Sequence, residues 1–301
     1  MISISLLKHI NMSKISTLKK YKNNGLPKVL VICGPTSSGK SDLAVEMAKE
    51  ENGEIISSDS RQVYKGMDIG SGKITKSEMK NIPHHLLDVA SPKRKYTVAQ
   101  FKKVGGKLIK KIHKKNNLPI ICGGTGFYID SLIYDLQIPK VKENVKLRKE
   151  LENKNLEELQ KELKKIDKRR YSEIDIQNKV RLIRAIEIAR EIGKVPEIDK
   201  RKFRDDWDIK ILMIDQKDEI LKERIDLRLK KRLKKGMVSE IKKLKKSGLS
   251  WKRLESFGLE YRYISQYIQN IISKDEMIYW IQTKSWQYAK RQRMWFRRYE
   301  E

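Results

Sequence analysis

Eight residues, Gly34–Ser41 (GPTSSGKS), constrain this chain more than any other stretch. They match G-x-x-x-x-G-K-[ST] throughout, follow the β-branched run Val29–Cys33 and open a helical pattern over Asp42–Glu50. Strand, glycine loop and helix in that order make a phosphate-binding loop. Backbone N–H groups and the positive end of the helix converge on a diphosphate. Gly34, Pro35, Thr36, Ser37, Ser38 and Gly39 form the cradle, Lys40 neutralises the anion, and Ser41 offers a hydroxyl to Mg²⁺. The motif leaves open which molecule carries the phosphate, since kinases, NTPases and other diphosphate-gripping enzymes all use it.

Further strand-length apolar runs occur at Glu54–Ser57, His85–Val89, Leu118–Cys122 and Ile209–Ile214, with helical patterns between them such as Val98–Lys114. Strands alternating with helices predict an α/β fold, a P-loop NTPase-like parallel sheet covered on both faces. The expected core spans residues 28–139. Residues 140–204 are charged and helical in pattern, and read as a helical insertion. Residues 205–301 supply the last core strand and then a basic helical segment, with Met237, Val238, Ile241 and Leu244 on one face and a stop at Gly248.

The formal charge of +29 is suited to a polyanionic partner, nucleic acid being the usual one. Abundant Lys, Ile and Asn also fit an A/T-rich coding bias, under which part of the excess is solvated surface. From residue 216 to 301 there are 23 Lys and Arg against 11 acids, so the basic character is strong in the last segment. Cys33 and Cys122 each end an apolar run before a glycine loop, which predicts buried thiols in a reducing compartment and no disulfide framework. No C-x-x-C pair suggests structural zinc, and no apolar run reaches a membrane-span length of roughly 18–20 residues. The first 27 residues hold five Lys and no acid. They read as a disordered basic tail, with an organelle transit peptide as the alternative; a cytoplasmic monomer is expected.

The stretch after the second predicted strand is more specific. Ser57–Lys73 reads SSDSRQVYKGMDIGSGK, and strand C-terminal ends form the ligand crevice in such sheets, so Asp59 is expected beside the P-loop. By itself Asp59, followed by Ser60, reads as a helix cap more than as a general base. Together with the P-loop, PHHLLDV (Pro83–Val89), YTVAQF (Tyr96–Phe101), GGTGFYIDSL (Gly123–Leu132), VRLIRAIEI (Val180–Ile188), FGLEYR (Phe257–Arg262) and AKRQRMWFRR (Ala289–Arg298), this stretch resembles the tRNA dimethylallyltransferase family. The resemblance runs from about Lys28 to Arg298. Arg61 departs from it, standing where many members carry an uncharged residue, and FGLEYR is longer than the GYR form of some members.

The resemblance implies transfer of a dimethylallyl group from dimethylallyl diphosphate to N6 of the adenosine 3′ of the anticodon, with Mg²⁺ assisting. Asp59 then corresponds to the general base and Thr125 to a threonine contacting the reacting adenosine, while Arg224 helps hold the diphosphate. Contacts to the tRNA anticodon arm are implied for Asp59, Ser60, Arg61, Gln62, Thr125, Arg148, Val180, Arg181, Leu182, Ile183, Arg184, Phe257, Gly258, Tyr261 and Arg262. Among the C-terminal aromatics, Trp286 reads as a docking residue, whereas Tyr288, Trp295 and Phe296 fit either packing or base stacking.

Three readings remain beside each other at this point: a tRNA prenyltransferase, a P-loop phosphotransferase, and a non-catalytic RNA-binding protein. ILMID, ending in Asp215, would give a phosphotransferase an acid at a strand end. A relative that prenylates free adenine nucleotides would not need so basic a C-terminal half.

Overall fold

A computed structural model of the chain describes residues 14–197 and 202–300. At its centre Val29, Leu30, Val31, Ile32 and Cys33 are all buried. An uninterrupted apolar run of this length suits a strand covered on both faces. This strand, β2 (Lys28–Cys33), pairs in parallel with β5 (Leu118–Gly123) and β6 (Asp208–Asp215). β3 (Gly53–Ser57) and the short β4 (His84–His85) continue the parallel sheet beyond β5. With β1 (Lys14–Lys19) the order is β1-β6-β2-β5-β3-β4.

Alternation along β2 sends its side chains to two cores. Leu30 and Ile32 meet Leu43, Ala44 and Met47 of α1 (Lys40–Glu50). Val29, Val31 and Cys33 join Phe101 and Ile109 of α2 (Val98–His113), and Tyr128 and Ile129 of α3 (Gly126–Ile133). A reciprocal capping box between Thr97 and Gln100 starts α2, as its sequence TVAQ allows.

Two expectations are corrected here. The basic tail contains β1, which lies antiparallel to β6 from Lys14↔Asp215 to Lys19↔Ile211. Leu18 is buried, and Asp208 accepts hydrogen bonds from the backbone N–H groups of Lys22 and Asn23 at 2.8 Å each. Charge counting misses this because a sheet edge and one remote carboxylate order the segment; residues 1–13 of the expected tail lie outside the described residues. The run His85–Val89 forms a strand only at its start, because Leu86 and Asp88 take left-handed φ angles of 63° and 56°. The backbone then turns onto the Ser57–Lys73 loop, with Asp88 N–H donating to Gln62 O and Ala90 N–H to Val63 O.

The described residues up to 134, with those from 203 on, form one compact unit, and residues 135–202 a second. The second unit contains α4 (Val145–Asn153), α5 (Leu156–Ile166), α6 (Lys168–Glu173) and α7 (Lys179–Ile192). Asn144, Asn155, Asp167 and Asn178 cap the four helices with side-chain oxygens. Leu151, Leu159, Leu163, Leu182 and Ile186 are its core.

Glu187 is buried in that unit, where it accepts from Arg148 at 2.6 and 2.9 Å, from Asn144 N–H at 2.7 Å, and from Arg184. Burial pushes its carboxyl up, but the bonds from Arg148, Asn144 N–H and Arg184 outweigh that and hold it at about 2. Glu54 on β3 is also held at about 2: burial again raises it, and Lys115, His85 and Asn117 lower it by more. A carboxyl depressed in the folded state contributes stability above its unfolded value near 4.5 and loses it as pH falls towards its folded value. Urea unfolding of the full chain is therefore expected to show a midpoint that falls progressively between about pH 4.5 and 2. Glu187→Gln should be less stable at pH 6 and flatter across that window; an equally steep Gln variant would exclude Glu187 as a source.

After β6 the first unit continues with α8 (Asp218–Lys234), α9 (Met237–Lys246), α10 (Trp251–Ser256), α11 (Leu259–Ile268) and the long α12 (Lys274–Phe296). Among the described residues no helix is long and apolar enough to cross a membrane.

Candidate active site

The C-terminal ends of β2, β3 and β5 deliver three loops to one place: the P-loop, Ser57–Lys73 and Gly123–Thr125. At the mouth of the P-loop Gly34 has φ 148°, and a Cβ there would lie 2.2 Å from Ile214 O. Only glycine lets β2 turn so close to β6. Ser37 Oγ and Ser38 Oγ are buried with no hydrogen-bond partner. Buried hydroxyls are normally satisfied, so two orphans in one anion cradle point to a bound ligand.

These loops bound a cleft of about 540 Å³. Lys40, Arg224, Arg228 and Lys231 all line it, the last three recurring along one face of α8. Lys40 Nζ donates to Pro35 O at 3.1 Å, and Arg224 reaches Ser38 O at 3.5 Å. Burial, reinforced by Arg228, lowers the Lys40 ammonium below its ordinary value. Burial and the neighbouring Arg232 lower Arg228 to about 10. Cations destabilised in this way gain when an anion enters between them.

A second cleft of about 550 Å³ opens on the other side of Asp59. Its basic wall includes Arg61, Arg232, Arg262, Lys284 and Arg291. The two clefts have four lining residues in common: Thr36, Asp59, Ser71 and Tyr288. Asp59 Oδ1 accepts from the N–H groups of Arg61 at 2.8 Å and Gln62 at 3.3 Å, so the carboxylate caps its own turn and also faces the junction. Asp59 therefore caps a turn, where the sequence allowed a helix cap, and it also lines both clefts.

The remaining expected residues divide. Ser60 N–H donates to Thr125 Oγ1 at 3.1 Å, and Thr125 N–H to Ser58 O at 3.1 Å. Thr125 thus clasps two loops together, and its side chain also bonds Tyr288, which lines both clefts. Gln62 lines the first cleft and donates to Gly72 O at 3.2 Å. Arg61 Nε donates to Phe257 O at 2.5 Å, tying the Ser57–Lys73 loop to the Phe257–Gly258 turn. Ser41 lines the first cleft at the start of α1; Gly258 and Arg262 line the second.

Burial corrects two of the expected RNA contacts, Leu182 and Ile183. Leu182 and Ile183 belong to the core of residues 135–202, while Phe257 and Tyr261 are core residues of the first unit. Phe257 and Tyr261 nevertheless also line the second cleft. Arg148 and Arg184 are engaged by Glu187, whereas Val180 and Arg181 are exposed, Arg181 lying 3.5 Å from Asp175. Trp286 packs against Leu221, Ile225 and Ala289, which is docking; Trp295 and Phe296 also pack on the core, and Tyr288 alone of the four faces the clefts.

Sequence reasoning misses Arg228 and Gln292, and reads Tyr288 only as fit for packing or base stacking. Arg228 donates to Thr36 Oγ1 at 3.1 Å. Gln292 accepts from Thr36 N–H and donates to Gly124 O, both at 2.8 Å. A weak signal existed: Arg224, Arg228 and Lys231 recur at helical spacing, and AKRQ holds Gln292 within an otherwise cationic run.

Among the described residues no group of three or more His, Cys, Asp or Glu side chains could hold a metal ion. That is compatible with Mg²⁺, which takes few protein ligands when phosphate oxygens and waters complete its shell. Asp215 does not line the cleft. Its Oδ1 accepts from Arg293 Nε at 2.7 Å and Gln216 N–H at 2.8 Å.

Comparison with known proteins agrees with this geometry. The sequence profile of the IPP transferase family matches residues 62–299. The chain is 44% identical over 275 residues to a tRNA dimethylallyltransferase 2 of Treponema denticola, covering 90% of this chain and 92% of the relative. It is 41% identical to a tRNA dimethylallyltransferase 2 of Shewanella sediminis, covering 91% and 90%. A crystal structure of a tRNA isopentenylpyrophosphate transferase from Staphylococcus epidermidis superposes with a TM-score of 0.66 at 36% identity, covering 91% of each chain. A eukaryotic dimethylallyltransferase acting on tRNA superposes with a TM-score of 0.72 at 28% identity, covering 89% of this chain and 69% of that one. The chain is a member of the IPP transferase family and an enzyme of the prenyltransferase class.

Proposed function

We propose that the chain transfers a dimethylallyl group from dimethylallyl diphosphate to N6 of the adenosine 3′ of the anticodon in tRNA. The observation that carries this reading is the junction of two basic clefts at Asp59, one backed by a P-loop with orphaned hydroxyls. The diphosphate fits the P-loop, Lys40, Arg224 and Arg228. The adenosine enters through the second cleft, out of its stack, as base-modifying enzymes require.

In the reaction N6 attacks C1 of the donor, the C1–O bond breaks, and the electron pair leaves with the diphosphate. P-loop amides and the cations stabilise the charge that develops on that oxygen. Asp59 accepts the proton N6 sheds, which helps because the exocyclic lone pair is conjugated with the ring. Ser41 is the P-loop residue that would offer a hydroxyl to Mg²⁺, which when bound would supply further neutralising charge to the diphosphate. The acid of the phosphotransferase reading, Asp215, lies outside the cleft lining and is paired with Arg293.

The test is mass spectrometry of nucleosides from tRNA incubated with the protein, Mg²⁺ and dimethylallyl diphosphate, with ATP in a parallel reaction. N6-dimethylallyladenosine is expected from the first. Phosphoryl transfer from ATP without a prenylated nucleoside would overturn the proposal.

The basic second cleft also fixes an ionic signature. The logarithm of tRNA affinity is expected to fall linearly with log salt, by about 0.7–0.9 per phosphate neutralised. Arg291→Ala should weaken tRNA binding and flatten that slope by about one contact, with donor affinity unaltered. Filter binding across a salt series checks both, and a slope near zero would remove the cleft from RNA binding.

A further inference from the structure

Tyr288 alone puts a large ring at the junction of the two clefts; Thr36, Asp59 and Ser71, the other residues common to both, are small or short. We propose that this ring sets the upper limit on the length of the prenyl chain the enzyme accepts. The inference rests on the proposed prenyl transfer and adds the residue that selects the donor.

Reaction geometry brings the chain to the ring. N6 must approach C1 opposite the departing oxygen, so C1 lies at the junction, between the diphosphate on one side and the adenine on the other. The four remaining carbons of a dimethylallyl group sit beside C1, against the junction walls. A donor one isoprene unit longer must fit five more carbons into the same space.

The ring is held firmly. Its hydroxyl lies 3.4 Å from Gly124 O, on the loop that also carries Thr125. One turn further along α12, Gln292 binds Thr36 N–H and Gly124 O at 2.8 Å each. A Cβ on Gly124 would come within 2.2 Å of the Gln292 amide, so this loop and α12 are in close contact. Swinging the ring aside would break its hydroxyl's contacts with Gly124 O and Thr125. Packed walls of this kind discriminate by about 10–200-fold per methylene.

The experiment compares kcat/KM for dimethylallyl diphosphate and geranyl diphosphate, with tRNA as acceptor, in the unaltered protein, Tyr288→Phe, Tyr288→Leu and Tyr288→Ala. Tyr288→Ala is expected to raise the geranyl-to-dimethylallyl ratio at least about tenfold, and Tyr288→Leu to raise it less. Tyr288→Phe should keep the original ratio, because the ring and not the hydroxyl does the excluding. General damage to the fold lowers both rates and leaves their ratio alone. An unchanged ratio in the Ala variant, or in the Leu variant if Ala does not fold, would overturn the inference, as would a Phe variant as relaxed as Ala. Failure of the unaltered protein to prenylate tRNA from dimethylallyl diphosphate would instead overturn the proposed function itself.

Discussion

Asp59→Asn is expected to slow single-turnover prenyl transfer by about 10²–10⁴-fold, the usual effect of removing a general base, while tRNA affinity stays within a few-fold. The substitution suits the question because of how the side chain is used. Both loop hydrogen bonds, from Arg61 N–H and Gln62 N–H, land on Oδ1. Asparagine keeps a carbonyl oxygen there, so the turn that presents the residue survives and only the ability to take a proton is lost. Single-turnover rates and tRNA binding measured in parallel separate the two functions. A variant of near-normal rate would show that the proton leaves by another route.

The largest expected loss of stability comes from a residue that lies in none of the motifs. Glu240, on α9, accepts from the backbone N–H groups of Asp68, Ile69 and Gly70 at 2.9, 2.6 and 3.0 Å, and from Tyr261 Oη at 2.9 Å. One carboxylate thus fastens the far half of the Ser57–Lys73 loop to two helices. Glu240→Ala strands three amide donors and a phenol in a mostly buried place. Each orphan costs about 1–3 kcal/mol before relaxation or water entry, so a net loss of about 3–5 kcal/mol is expected. Urea unfolding gives the value directly. Glu240→Gln should lose less, since one acceptor oxygen remains. An Ala variant within 1 kcal/mol of the unaltered protein would mean that water replaces the carboxylate.

How much of this was legible beforehand follows from the range of the interactions. Gly34–Ser41 specifies its own turn and helix start through adjacent residues, so the P-loop, its strand and the α/β class could be read directly. Asp59 could be placed because strand ends gather at one edge of a parallel sheet. Glu240 and Gln292 could not be found in this way, as each acts on backbone more than 160 residues away. Leu182 and Ile183 carry a family motif and are nonetheless core, because a basic helix still needs an apolar face to pack. Arg148 and Arg184 read as cations free for phosphate until a buried partner, Glu187, is known. The strand within the basic tail escaped for a similar reason, its order coming from β6 and Asp208.

The Gln292–Thr36 hydrogen bond has a consequence for the order in which the molecule is made. Its two ends are separated by 256 positions, with the whole of residues 135–202 synthesised in between. During translation β2 and α1 emerge early, yet their loop lacks the amide that braces Thr36 until α12 has left the ribosome. Contacts of such sequence separation form late, after the shorter-range elements. A growing chain therefore has the sheet of a diphosphate-binding protein well before it has the finished cradle, and the donor site is among the last parts of the enzyme to mature.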